Sequence, residues 1–389
     1  METTHETIIV GGGAAGMNCA LKLQEAGRPY LLITDRMGGR IMFRKDLQMN
    51  FGAVFYFGNY HHMKKILTPG PKVLPSLLQG CCHPDARTQY AALSPRTLRH
   101  AGQLLKFRSY MLKRFIPDYE RFKSDCEVMQ VKDALEKSPS INDLFFMTAD
   151  QFVAREGIQE VADDLVSQFA HGCTGARIET LSALDYLNCV QALVLDLRRF
   201  TFDEDAMTQR LREGKGEVEF DTVSAVCRNE DGSYTVETGA GGPRVARHVV
   251  LATPADVTAK IVKPVVKLPR IRNASVLYAH LIRGQMKARY RNHIVHIFAD
   301  DIPIIFAAKR KEGEYEVFTE KEIDLSEYFG AHRVVERVHW PKALFTNPNV
   351  VLDQDLAENL YMAGDHNGLG MEPAAISGIY AANRILGAA

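Results

Sequence analysis

The sequence predicts an α/β fold in which a nucleotide-binding parallel sheet is interrupted along the chain by inserted α+β segments. Three observations carry the prediction: a glycine-rich strand–turn–helix at 8–16 (IIVGGGAAG), a return of strand patterns between 217 and 254, and a strand followed by a helix over 359–386. Ile8-Ile9-Val10 is short, apolar and β-branched, as a strand covered on both faces should be. Gly11 suits the tight turn, Gly13 a close backbone approach to a pyrophosphate, and Gly16 the packing of the next helix on the strand. Residues 17–26 read as that helix, whose N-terminal amides and dipole make an anion site without a cationic side chain. A lone GxGxxG is a weak signal, and its place between strand and helix strengthens it.

A chain of 389 residues has room for two domains and an ample core. Its formal net charge of +0 argues against a nucleic-acid partner held by charge. Seven cysteines without regular spacing point to a reducing compartment. The first strand begins too near Met1 for a leader, and no apolar run is long enough to span a bilayer, so a cytoplasmic protein is expected.

Further along, Gly27 ends the first helix and residues 30–33 make a second strand. Asp35, just beyond it, is the residue expected to hold ribose hydroxyls. A second turn, Gly38-Gly39-Arg40, suits a cofactor longer than a mononucleotide. From 74 to 200 the periodicity is helical. Residues 94–125 interleave eight Lys or Arg with leucines and aromatics, which is either a solvated basic face or a peripheral membrane contact. Residues 217–238 alternate as a hairpin about the turn 229–232, and 248–254 is a buried strand with its exit. Strands return within 271–335, and the chain ends in a strand over 359–365 and a helix over 372–386. The nucleotide-binding unit is therefore expected to gather 1–74, 205–270 and 336–389. The substrate unit takes 75–204 and 271–335.

In order and spacing, GGGAAG (11–16), GGR (38–40), NFGA (50–53), VEFDTVSAV (218–226), VVLATPA (249–255) and the tail 360–386 resemble the flavin-containing amine oxidase superfamily. That superfamily includes protoporphyrinogen oxidases and phytoene desaturases. The resemblance implies a Rossmann-like FAD-binding domain of the glutathione-reductase ββα type, with FAD as cofactor. It implies a pyrophosphate on Gly11, Gly13, Ala14, Ala15 and Gly16, a second turn of Gly38, Gly39 and Arg40 along the same cofactor, and cofactor-binding residues at Gly52 and Ala53. The ribose position falls at Thr34, one place before Asp35. Val223 would place backbone against the adenine, and Ala252, Thr253 and Pro254 would pass the ribityl chain. Gly364 and Asp365 belong to the pyrophosphate and ribitol side. The helix from Met371, with Ala374, aims its N-terminus at the isoalloxazine, and Trp340 stands near the ring.

No second GxGxxG is present for a nicotinamide coenzyme. The expected chemistry is hydride transfer from a substrate carbon to flavin N5, with oxygen, a quinone or another carrier as final acceptor. Amine oxidases place a lysine where this chain has Tyr278, and an aromatic where it has Gly370. Both departures favour a desaturase-type reaction on a largely apolar small molecule over amine oxidation with release of hydrogen peroxide. A flavoprotein without net redox turnover is the remaining alternative. Beyond Tyr278 and Trp340 no catalytic residue is identifiable. No metal is expected: Cys81-Cys82-His83 and His61-His62 lack zinc-type spacing and read as loop or surface residues. Tyr56 and Tyr60 either line the pocket or pack, His366 reads as a hydrogen-bonded loop residue, and Lys309 and Arg310 as solvated.

Overall fold

The structure is a computed structural model and describes residues 4–73, 80–85, 87–299, 301–346 and 350–388. The unit boundary expected at 74/75 lies outside the described residues. The chain opens with β1 (Thr4–Val10), α1 (Ala14–Glu25) and β2 (Tyr30–Thr34). After β3 (Gly80–His83) come helices, among them α2 (Ala101–Tyr110), α3 (Ile116–Asp125) and α4 (Ala183–Val190). Then follow β4 (Gly216–Phe220), β5 (Val223–Arg228), β6 (Tyr234–Thr238) and β7 (Arg244–Leu251). Next are β8 (Asn273–Met286), β9 (Val295–Phe298), β10 (Ile304–Lys311), β11 (Glu314–Thr319) and β12 (Phe329–Thr346). β13 (Leu360–Met362) and α5 (Met371–Leu386) close the chain.

One sheet runs β4-β2-β1-β7-β6-β5, with β13 also on β7. β4, β2, β1, β7 and β13 are mutually parallel. Ile9 lies between Leu32 and Val250, and all three are fully buried, which is why the first strand is apolar on both faces. α1 and α5 cross so closely that a Cβ on Gly378 would collide with the Ala15 carbonyl.

The 217–238 stretch divides. β4 lies parallel to β2, whereas only β5 and β6 form the hairpin, whose turn is closed by the Gly232 N–H on the Asn229 carbonyl at 3.1 Å. Alternation marks a strand but not its partner. The break is pinned by Asp221, whose carboxylate accepts from the N–H groups of Thr222, Ala240 and Gly241. Those hydrogen bonds hold its carboxyl well below the usual range.

The second sheet runs β12-β8-β11-β10-β9-β3 and ends on a short strand at Tyr90–Ala91. Residues 336–346, expected with the nucleotide-binding unit, continue β12 along its edge, paired with β8. On one face of this sheet Leu277, Ala279, Leu281, Ile305 and Phe318 pack with Met49 and Phe51; on the other Ile282, Ile304, Val317 and Phe298 form a separate core. Cys81, Cys82 and His83 stand on buried β3, not on a loop or the surface. The basic 94–125 stretch is not one helix: a short helix at Pro95–Leu98 stops before α2, and α2 then runs into α3 through a five-residue π turn at Met111–Phe115. Among the described residues, no helix is long and apolar enough to cross a membrane.

Candidate active site

Four loops leave the C-terminal ends of the parallel strands, where open α/β sheets bind their ligands. Each is tied to its neighbour by backbone. Gly11 N–H donates to Ile33 C=O, Gly38 N–H to Gly12 C=O, and Ala252 N–H to Val10 C=O, each at 2.8 Å; Ala363 N–H reaches Leu251 C=O at 3.0 Å. Gly11 has φ +109°, and a Cβ there would stand 2.5 Å from the Ala252 carbonyl oxygen. A Cβ on Gly16 would overlap the Gly11 carbonyl, and one on Gly52 the Arg40 carbonyl, so these glycines are required for close approach.

Gly13 differs. A Cβ there would meet nothing within 4 Å, whereas a Cβ added to neighbouring Gly39 would stand 3.2 Å from the Gly13 Cα. Gly13 is also the N-cap of α1, and no side chain caps that helix. Uncapped amides facing open space, flanked by Ala14 and Ala15, are the features of a phosphate cradle.

Around this cradle the other expected residues fall into two groups. At the end of β2, the Thr34 hydroxyl accepts from Gly12 N–H at 3.0 Å and donates to Arg36 C=O at 2.8 Å, so it is spent on the turn. Asp35 beside it is exposed. Asp221 N–H donates to Thr34 C=O at 3.0 Å, bringing half-buried Val223 to the same end of the sheet. On the other side, Arg40 Nη2 meets Asp365 Oδ1 at 2.6 Å while Nη1 donates to Ala343 C=O at 2.8 Å. Burial works against the guanidinium's charge, and Asp365 more than offsets it. Gly364, with φ +153°, has Thr253 O 3.8 Å from its Cβ position, which joins the Ala252-Thr253-Pro254 exit to the Gly364-Asp365 turn. Trp340 packs on the same wall: its indole N–H donates to Phe51 C=O at 2.6 Å and its ring lies 3.5 Å from the Gly52 Cβ position. Ala53 N–H donates to Arg40 C=O at 3.0 Å.

Tyr278 is not brought to this site. It pairs with His339 and stacks on it at 4.4 Å, on the sheet face opposite Leu277. Toward Phe51, β8 presents Leu277, beside Trp340.

α5 begins at Gly370 (φ +113°) with no side-chain cap, so Met371 and Ala374 stand in an open first turn. Glu372 turns back and accepts from the N–H groups of His62 and Met63 at 2.9 and 3.0 Å, and from that of His61. Tyr60, the residue just before, has its hydroxyl 3.5 Å from the Gly370 Cβ position, so a ring stands near the space an aromatic at 370 would take. Burial, then the Glu372 charge, push that hydroxyl well above its ordinary value, so it stays protonated. His366 is buried with Nε2 unpartnered, and burial pushes it down to about 4, so its ring is neutral. His61 and His62 contact Glu120 and Glu127; Lys309 and Arg310 contact Glu312 and Glu314. All four are therefore paired with carboxylates.

Sequence reasoning missed one device. On α4 and its C-cap, Asp185, Asn188 and Gln191 recur every third residue and all are buried. Leu369 N–H donates to Asp185 Oδ1 at 3.2 Å, and Leu369 C=O accepts from Asn188 Nδ2 at 2.7 Å. Gln191 holds the Asn188 side chain at 2.7 Å, and Arg272 pairs with Asp185 at 3.0 Å. The helix thus grips both backbone groups of the residue before Gly370. The signal was a polar stripe at three-residue spacing in an apolar helix. Asn188→Ala is expected to cost about 1–3 kcal/mol, because the buried Leu369 carbonyl loses its donor. Urea melts would read the loss, and unchanged melts would deny the grip any weight.

The open Gly13 cradle, the uncapped first turns of α1 and α5 and the orphaned His366 Nε2 fit an extended flavin dinucleotide. Comparison with known proteins agrees. A curated "probable flavin-containing monoamine oxidase A" from Dictyostelium discoideum is 22% identical over 283 residues, which are 67% of this chain and 60% of that relative. Two solved structures share the fold across nearly the whole chain. A CLA-producing fatty acid isomerase from P. acnes gives a TM-score of 0.68 at 15% identity, covering 98% of each chain. Cyclohexylamine oxidase from Brevibacterium oxydans gives 0.65 at 15%, covering 98% of this chain and 99% of that one. The match to the family model spans residues 14–281, and the chain belongs to the flavin-containing amine oxidoreductases, an FAD-dependent family.

Proposed function

We propose that this protein is an FAD-dependent oxidoreductase acting on a C–H bond of a largely apolar small molecule, in a dehydrogenase- or desaturase-type reaction. One observation carries the reading: the face of β8 turned toward Phe51 bears Leu277, Ala279 and Leu281, with Ile305 and Phe306 beside them, and the two carboxylates opposite Leu281 on that face, Glu316 and Glu336, are already paired with Arg199 and Arg44. A substrate ammonium would have to compete with those arginines for a counter-charge, whereas a hydrocarbon would meet an apolar wall.

FAD, when bound, supplies the two-electron acceptor. The protein's share is binding and orientation. Gly11, Gly13, Ala14, Ala15 and Gly16 would present α1 amides to the pyrophosphate, with Gly38, Gly39 and Arg40 closing over it. Asp35 is the ribose ligand in this reading, with Thr34 shaping the turn, and Val223 the adenine contact. Ala252, Thr253, Pro254, Gly364 and Asp365 line the ribitol, while Gly52, Ala53, Trp340, Met371 and Ala374 surround the ring. The N-terminus of α5 favours negative charge at the ring's carbonyl end, and Tyr60 places a protonated hydroxyl near it.

Gly13→Asp is expected to yield folded, colourless protein, because a carboxylate would occupy the phosphate position. Yellow Gly13→Asp protein would refute this placement. Anaerobic addition of unsaturated fatty acids, polyenes, porphyrinogens and amines then sorts the substrate classes. Bleaching by an apolar compound supports the proposal, and bleaching by amines alone overturns it. The full-length likeness to a fatty acid isomerase motivates a second reading, in which substrate is converted with no acceptor consumed.

The final acceptor in this reading is oxygen, a quinone or another carrier. Residues 94–117 carry six Lys or Arg and no acid, while Leu98, Leu105 and Leu112 are 57%, 67% and 39% exposed. That mixture of basic and exposed apolar side chains suits an anionic lipid surface from which an apolar substrate could be drawn. Salt-sensitive cosedimentation with anionic vesicles is expected, and equal binding to neutral vesicles would overturn it.

A further inference from the structure

We propose that Cys81, His83 and His296 form a zinc site within the second sheet, remote from the flavin. β3 and β9 run parallel with Cys81 opposite His296 and His83 opposite Phe298. Cys81 and His83, two residues apart, therefore point to one face, and His296 joins them there. All three side chains are buried, and one ligand atom from each lies within 4.8 Å of the others. The set is one sulfur and two imidazoles, which suits a borderline-soft ion.

The hydrogen bonding around His296 points the same way. Its Nε2 pairs with the Tyr290 carbonyl at 2.9 Å, an acceptor only, so Nε2 carries the proton and Nδ1 is left as a bare lone pair. A ring N–H held by a carbonyl is the arrangement that orients a metal-ligating histidine. That lone pair meets His83 Nε2 at 2.9 Å. One proton now occupies the place between the two rings where an ion would sit. The Cys81 sulfur has a long 3.9 Å contact with the Cys82 carbonyl and a backbone hydrogen bond with Tyr90. Ligation at about 2.0–2.3 Å asks the sulfur to close by about 1 Å, the His83 proton to move to Nδ1, and the thiol to release its proton. An entry path exists: a pocket of about 180 Å³ reaches His83 and Tyr290, with Asp85 and Glu327 as well as Lys287 and Arg289 along its walls.

With three protein ligands, water from that pocket would take the fourth tetrahedral position, and the ion's role would be to join strands. β8, the strand that faces Phe51, lies four strand spacings from β3 through β11, β10 and β9, or about 19 Å. An ion there would clamp β3, which precedes the helical insertion, to the sheet that follows it.

The test uses the flavin-containing protein, stripped with a chelator and offered zinc chloride. One zinc per chain by elemental analysis is expected, with a melting temperature that rises until one equivalent is present. Cys81→Ser and His296→Ala should each weaken zinc binding by ~10–100-fold or more while retaining flavin. No zinc uptake by the stripped wild type, or undiminished uptake by folded variants, would overturn the site. Should a variant fail to fold, alkylation of the wild type decides. Zinc must slow modification of Cys81, and an unchanged rate overturns the proposal.

Discussion

Gly378→Ala is expected to be among the most damaging single methyl groups that can be added to this protein. The new Cβ would overlap the Ala15 carbonyl, which is backbone on the first turn of α1 and has no rotamer to escape into. α1 and α5 must then separate, and the buried Ala20, Leu23, Ala381 and Ala382 of these two helices lose packing. Core overpacking costs about 1–3 kcal/mol where side chains can adjust, and a backbone clash belongs at or above that upper end. Gly13→Ala is the matched control. Its φ of −78° suits alanine and the methyl enters free space, so stability should hold while flavin affinity falls. Thermal melts and retained flavin separate the two cases. A normally stable Gly378→Ala protein would mean the helices do not cross as described.

Acidification should produce the second large effect. His280 and His366 are buried, and burial holds each down at about 4 against an ordinary 6.5. His280 Nε2 is engaged by Thr319 at 3.1 Å, and its Nδ1 has no partner to receive a proton's charge. The unfolded chain therefore binds these protons first. Stability is fully present above pH 6.5 and is lost as pH falls from 6.5 toward 4. The displacement amounts to roughly 3 kcal/mol for each ring. Urea melts through that window should fall steadily, and His280→Gln should flatten the slope. A profile that is level across the window would show that the rings are not buried neutral.

Much of the nucleotide-binding half was legible because its constraints are local. Gly11, Gly16 and Arg40 sit where short-range geometry demands them, and β1, α1, β2 and α5 form within a few residues of expectation. What stayed hidden depends on partners distant in the chain. Whether β4 pairs with β5 or β2 cannot be read from alternation, which marks a buried face and not the neighbouring strand. The orientation of Tyr278 turned on a single residue of register in β8, which moves a side chain from one face of a sheet to the other. The cluster at Cys81, His83 and His296 was invisible because its third member lies more than two hundred positions away, joined only by a parallel pairing.

Ala343 closes the account. Its carbonyl anchors Arg40, and it belongs to β12, which also carries Trp340 and pairs along β8. In the proposed reading, cofactor cradle and substrate wall are thus joined by one strand, through the bulge that separates Trp340 from Leu344. A shift of the second sheet would then be felt at Arg40 through that strand.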